Sequence, residues 1–378
     1  MTPMALFGLP ASGSAAPEIR IEHQPGSATL VIDGDPRCLI EHKMVPETHF
    51  DLDRFAVFPC YTGLTAESQI CELRVGKERN TFGYVFPTTS FRNGAGISEK
   101  WPLIYADAAF RKFMNLNYLQ EFQAQIALDE IGVEPIPLDR ILDDSLSILI
   151  VSLEVLAKHE FNEHLLDFLL RRHGVSICED RRDLSLVLPI AEYNPGLNVQ
   201  KPQLDLSTDI EKLRLLLKNA DRDNSEIGRF VQYYQFIEYM ISEIFQWGIH
   251  YAAHEGMTAW MVKERLSRLS SERQRLHILS GACLRAMHDR SGEDDLVSAC
   301  CDFLDLVGIE RGDKKAWYSL LYIVRNAVIH NQVSLLSTKF LAALKGVNIA
   351  LRRVALDTLI SFERPTDPNL FFSQNFAD

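Results

Sequence analysis

Residues 226–251 read EIGRFVQYYQFIEYMISEIFQWGIHY. Phe230, Tyr234, Ile237, Ile241 and Ile244 recur within them at spacings of 4, 3, 4 and 3, which puts all five on one face of an α-helix. The same periodicity continues downstream and predicts further helices over 262–279, 294–307, 315–330 and 338–360. Their lengths and short connections suit a four- or five-helix bundle over about 205–365, followed by a tail at 366–378.

Upstream the pattern changes to short runs. Residues 28–32, 38–42, 55–58, 69–75 and 81–86 predict strands, the first two joined by the turn Asp33-Gly34-Asp35-Pro36, and this β-rich part ends near Pro87. Helical spacing over 107–131 and 138–172, with Gly174 as a stop, predicts a helical extension over about 107–173. Residues 175–178 and 184–188 read as a returning hairpin. The stretch 193–202, with Asn194-Pro195-Gly196 and a further proline, marks a boundary at about 200. Residues 1–17 read as a flexible leader, without the charged start of a signal peptide. The expected class is α+β: an acidic mixed β/α domain over 18–200, then an all-α bundle.

Composition narrows the function. With 378 residues, 47% of them hydrophobic, the chain has ample material for packed cores and is neither disordered nor fibrous. No stretch reaches the roughly 20 apolar residues that a membrane helix needs, so no membrane role is expected. Seven cysteines without CxxC spacing argue against a disulfide framework or zinc ribbon, and the cytoplasm is the expected location. Residues 1–204 hold 18 Lys or Arg against 28 Asp or Glu, while 205–378 hold 21 against 23. An acidic chain repels polyanions at long range, so a nucleic-acid role is expected to rest on a small local site and not on long duplexes.

Most chemical signatures are missing. Gly94-Ala95-Gly96 lacks the rest of a dinucleotide loop, and no phosphate loop or nucleophile elbow is present. His250 and His254 have metal-ligand spacing, but HExxH would require Glu where Tyr251 stands, so no metal and no cofactor is assigned. Arg171, Arg172, His173, Arg181 and Arg182 form a basic cluster that reads as a helix end complementing its dipole rather than as a phosphate patch. The aromatics Tyr233, Tyr234, Phe236, Tyr239, Phe245 and Trp247 read as core before they read as a base-stacking platform.

The exception is Arg325-Asn326-Ala327-Val328-Ile329-His330. In a chain of this composition an Arg-Asn-x-x-x-His match arises by chance only about 0.03 times. Trp317, Leu321, Val324 and Val328 make one apolar stripe, while Asn326 and His330 share the far side at i, i+4. Ile323 and Ala327 flank that far side, with Tyr322 and Ile329 beside it. A helix so apolar all round is expected to be buried twice, the second time by a two-fold partner carrying the same motif.

On this motif and the bundle around it, the C-terminal half resembles the HEPN superfamily, whose mark is an R-x4-6-H motif, commonly RNxxxH, late in a helical bundle. The resemblance covers about 205–365 and includes an aromatic helix with an acidic residue, Glu238. It implies a metal-independent endoribonuclease acting as a dimer on single-stranded or loop RNA, with tRNA among the candidate targets. Arg325 and His330 would be the catalytic pair, Asn326 would position the histidine or the RNA backbone, and Glu238 would support Arg325. By analogy the protein would be a phage-defence or toxin effector, with residues 1–200 as sensor or as docking site for a protein regulator. The chemistry agrees: an imidazole titrates near about 6.5, suiting acid–base work, and a guanidinium binds two phosphate oxygens at once. The competing expectation is a non-catalytic module that dimerises through the helices and binds a ligand or protein through the β-rich half.

Overall fold

The computed structural model describes residues 19–365 apart from 33–34, 45, 47–49, 63–69, 77–78, 94–99, 116–134, 143–144, 179–194, 203, 207, 253–256, 285–290 and 331–336. The leader, the tail, the second half of the helix expected at 107–131 and the hairpin arm at 184–188 lie outside the described residues. The protein is α+β, and the chain divides into two compact units, Met1–Gln200 and Lys201–Asp378.

The first unit opens with β1 (Ile19–Gln24), β2 (Ser27–Ile32) and β3 (Asp35–Glu41), an antiparallel meander to which β7 (Ile136–Pro137) adds in parallel. A second sheet contains β4 (Phe55–Thr62), β5 (Cys71–Val75), β6 (Asn80–Pro87), β8 (Leu146–Ser152), β9 (Val175–Ile177) and β10 (Gly196–Val199) in the order β10-β5-β6-β8-β4-β9. All its pairs are antiparallel except β10 with β5. Helices α1 (Thr88–Asn93), α2 (Lys100–Phe113), α3 (Leu138–Ile141), α4 (Leu153–Lys158) and α5 (Glu163–Arg171) accompany the strands. One core joins Ala28, Leu30 and Ile40 of the first sheet, Ile104, Ala108 and Phe110 of α2, and Val57, Phe86, Ile148 and Ile150 of the second sheet.

Strand β8 corrects the helix expected over 138–172. Leu146 to Val151 are all buried and β8 has a neighbour on each side, so its run of apolar residues is that of a strand covered on both faces. Such a run has neither the 2-residue nor the 3.6-residue period that separates the two structures. Of the helix expected over 138–172, the described residues keep the short helices α3, α4 and α5, while α2 accounts for the start of the one expected over 107–131.

Gly83 of β6 pairs with Val151 of β8, and a Cβ there would meet the Ile150 carbonyl oxygen at 2.5 Å and Val151 Cγ1 at 2.7 Å. Glycine is required by this close approach. Gly83→Ala is expected to destabilise the first unit by about 1–3 kcal/mol, the cost of overpacking, read as a lower urea midpoint with faster amide exchange in β6 and β8.

The second unit is helical: α6 (Ile210–Arg222), α7 (Glu226–Ala252), α8 (Ala259–Ser270), α9 (Glu272–Ala282), α10 (Ser291–Val307), α11 (Trp317–His330) and α12 (Thr338–Ser361). Seven helices among the described residues replace the four or five expected: α6 is additional, and Ser271 breaks the helix expected over 262–279 into α8 and α9. Helices α7, α12, α10, α11 and α9 each pack against the next, and α9 closes back on α7. The stripe of α7 is buried as its spacing predicts, with Phe230, Tyr234, Ile237, Ile241 and Ile244 all inside. A buried polar tie joins three helices: Asp221 of α6 takes Nε of Arg352 of α12 at 2.9 Å and the hydroxyl of Tyr233 of α7 at 2.8 Å. No helix among the described residues is long and apolar enough to cross a membrane.

Candidate functional site

Trp317, Leu321, Val324 and Val328 of α11 are buried in the ring, as the stripe predicts, together with Leu320 and Ala327. Ala327 is a correction to the expected second face, because the chain itself covers it. What remains outward is one arc, with Tyr318, Tyr322, Ile323, Arg325 and Asn326 partly exposed and Ile329 and His330 exposed. At 100° per residue these seven fall together on the side away from the stripe. The motif is therefore displayed on the surface of the second unit.

Arg325 is held from three sides. Its Nη2 lies 3.8 Å from Oε1 of Glu238 on α7, and its Nε lies 3.8 Å from Oε1 of Glu272, the first residue of α9. The guanidinium carbon sits 6.0 Å from the centre of the Tyr234 ring, within cation–π range. The buried Tyr234 hydroxyl donates to Glu272 Oε1 at 2.7 Å, so the ring that carries the guanidinium also fixes one of its carboxylates. Burial and this bond raise the Tyr234 pKa far above the ordinary phenol value, so it stays a donor at every working pH. Asn326 accepts from Arg325 Nη1 at 3.2 Å. Asn326 is thus engaged with the arginine, not with the histidine. His330 closes the helix, its imidazole exposed and without a hydrogen bond to any described residue.

Glu238 thus faces Arg325 rather than open water alone. Tyr234 and Glu272 complete the cluster and are absent from the candidates read off the sequence. Tyr234 shows there only as a core aromatic, and Glu272 lies 53 positions from Arg325, brought near by the break at Ser271.

Glu238 has a raised pKa, first because burial disfavours its charge and also because Glu272 is near, with Arg325 opposing both. A carboxyl whose folded pKa lies above its unfolded value binds its proton more tightly in the native state. Its contribution is favourable at low pH and is lost as pH rises through the carboxylate range. Glu238→Gln is therefore expected to be neutral or slightly stabilising at pH 7, by less than about 1 kcal/mol for so exposed a group, and to flatten the stability profile just above the usual glutamate pKa. Urea unfolding at pH 5 and pH 7 checks the sign.

The other sequence candidates behave differently. Arg171 is fully buried in the last turn of α5 and pairs with Asp167 at 3.1 Å, while Asp167 also accepts from the Ile177 backbone at 2.8 Å. Asp167 thus ties β9 to α5, and the buried Arg171 is committed to that carboxylate rather than displayed to a phosphate. His173 is driven down to about 4, by burial first and then by Arg172. Arg181 and Arg182 lie outside the described residues. Of the aromatic run, Tyr233, Tyr234 and Phe236 are core and Tyr239, Phe245 and Trp247 half-buried. His250 is exposed at the end of α7, His254 lies outside the described residues, and no three His, Cys, Asp or Glu among those described cluster as metal ligands. Cys60, Cys71, Cys178, Cys283 and Cys300 are buried free thiols, and burial raises Cys71 to about 11.

The first unit carries its own cleft, of about 800 Å³, walled by Phe50, Phe55, Tyr84, Trp101 and Tyr105 with Arg54 and Lys100 at its edge. No family model matches the chain, and no curated protein or solved structure does so either.

Proposed function

We propose that the protein is a metal-independent endoribonuclease of the HEPN type, acting in the cytoplasm on single-stranded or loop RNA at a site that two copies of the chain complete. The observation that carries this reading is the display of Arg325, Asn326 and His330 on one outward arc of α11, with the guanidinium braced by Tyr234, Glu238 and Glu272. Ile329, more than a third exposed on that arc, supports contact with a second copy.

In this reading the 2′-oxygen attacks the adjacent phosphorus as a base removes its proton, and the bond from phosphorus to the 5′-oxygen breaks as an acid protonates the leaving oxygen. The imidazoles of His330 from two copies serve as base and acid. Arg325 turns from its carboxylates to the phosphate and stabilises the charge developing on its oxygens. The two ion pairs at 3.8 Å are partly exposed and worth at most about 1 kcal/mol each, so a phosphate competes with them readily. RNA class, tRNA included, and a role as defence or toxin effector under control of the first unit belong to the same proposal.

The test is cleavage of a labelled single-stranded oligoribonucleotide in excess chelator. Expected products carry 2′,3′-cyclic phosphate and 5′-hydroxyl ends, with a rate per chain that falls on dilution to monomer. Loss of all cleavage in chelator, or products with 5′-phosphate ends, would reject the mechanism.

A second reading is favoured by one observation: Arg325 is engaged by two carboxylates of its own chain, as a structural arginine would be, while the aromatic cleft of the first unit offers a ligand site elsewhere. The chain would then be a dimerising, ligand-binding module. Expression decides between them, since toxicity relieved by His330→Ala belongs to the nuclease and equal tolerance of both forms to the module.

A further inference from the structure

A cleft of about 490 Å³ lies between the first half of α9 and the segment leading into α11. Its walls include Arg273, His277, Lys314, Lys315 and Tyr318. We propose that this cleft binds the phosphate group of a nucleotide or of an RNA strand.

The charge distribution carries the argument. Acidic residues outnumber basic ones 51 to 39 in this chain, and Arg54, Arg74, Arg171, Arg229, Arg268 and Arg352 are each paired with a carboxylate. Arg273, Lys314 and Lys315 make no ion pair among the described residues, and Asp313 is the one carboxylate lining the cleft. Like charges gathered without partners in an acidic protein repel one another, and an anion relieves that repulsion. Arg273 offers a fork that matches two phosphate oxygens, and the lysines offer point charges.

Neutral donors complete the lining. Tyr318 and His277 meet at 2.6 Å from hydroxyl to Nδ1, fixing both rings in the wall. Ser271 stands at the N-cap of α9 without using its side chain as a cap, and Gln274 buries an oxygen that no described group bonds. A carboxamide turned over at that position presents its NH2 instead. Burial first, and Arg273 second, lower the His277 pKa below the ordinary imidazole value, and a bound phosphate would push it back up.

Tyr318 and Arg325 lie seven positions, two helical turns or about 10 Å, apart on the same outward arc of α11. A strand held at Arg325 thus has a second phosphate position within reach, although the cleft needs no nuclease activity to bind its anion.

The experiment uses the full chain carrying His330→Ala, so that RNA survives, and adds Arg273→Gln or Lys314→Gln. Inorganic phosphate, a nucleoside monophosphate and a single-stranded oligoribonucleotide are the probes, followed by calorimetry, by fluorescence anisotropy across a salt series and by the ring resonances of His277. Phosphate is expected to move those resonances and raise the His277 pKa, and each variant to weaken phosphate binding by roughly tenfold, the share of one charge-assisted bond. If the natural source is RNA, each variant also lowers the slope of log affinity against log salt by about 0.7. Weakening confined to phosphate and the mononucleotide supports the cleft with a free nucleotide as its source. Unmoved His277 resonances, with unchanged affinity for all three probes in both variants, overturn the proposal. Absence of cleavage by the wild type would bear on the nuclease alone, because every arm here reads binding.

Discussion

His330→Ala is expected to slow RNA cleavage by about 10²–10⁴-fold, the usual worth of a positioned acid or base, and Arg325→Ala by about 10²–10³-fold through loss of charge stabilisation in the transition state. Neither loss should come from unfolding. His330 is exposed at a helix end, so its loss should change stability by no more than about 1 kcal/mol, and Arg325 gives up two long ion pairs, the contact with the Tyr234 ring and the bond to Asn326, all partly exposed, for about 1–2 kcal/mol. Arg325→Lys keeps the charge but not the planar fork, and is expected to recover little of the rate. The double variant should be scarcely slower than the worse single one, because groups that act as a unit do not add. Single-turnover rates with an excess of chain read the chemical step directly. Wild-type rates in both single variants would remove the assignment.

The largest effect on stability belongs to Asp221. Its carboxylate receives Nε of Arg352 at 2.9 Å, Nη2 at 3.3 Å and the Tyr233 hydroxyl, in a place where both charged side chains are at most 6% exposed. Removing one member of a buried pair leaves the other charge without its counterion, so Asp221→Ala is expected to cost about 3–5 kcal/mol. That is a large part of the 5–15 kcal/mol that typically holds a domain together. The double change Asp221→Leu with Arg352→Met replaces the pair by apolar volume and should restore much of the loss. Urea unfolding of all three forms, followed by the helical signal of the second unit, tests this. Equal loss in the single and double variants would show that the tie acts through shape and not through charge.

The helical half was legible where one face is buried and the other wet. Phe230 to Ile244 on α7 and Trp317 to Val328 on α11 repeat at helical spacing because a ring of helices hides one stripe of each. The same logic makes α6 readable from Ile210, Leu213, Leu217 and Ala220, all buried, although the expected bundle starts its helices at 226. Strand β8 was not legible as a strand, since covering both faces of Leu146 to Val151 erases the alternation. For the site, Arg325, Asn326, His330 and Glu238 came from the motif and its family likeness. Tyr234 and Glu272 required the fold, because a cation–π contact and an ion pair between distant helices leave no local pattern. His277 and Tyr318 were hidden for the same reason, joined across 41 positions.

The pairing of β10 with β5 governs how this protein can be cut into pieces. Strand β10 belongs to the last few residues of the first unit and satisfies the outer backbone groups of β5. A shorter expression fragment stopping before Gly196 would bare a hydrogen-bonding margin ready to capture strands from neighbouring molecules, and precipitation would follow. A fragment running through Gln200 keeps that margin sealed.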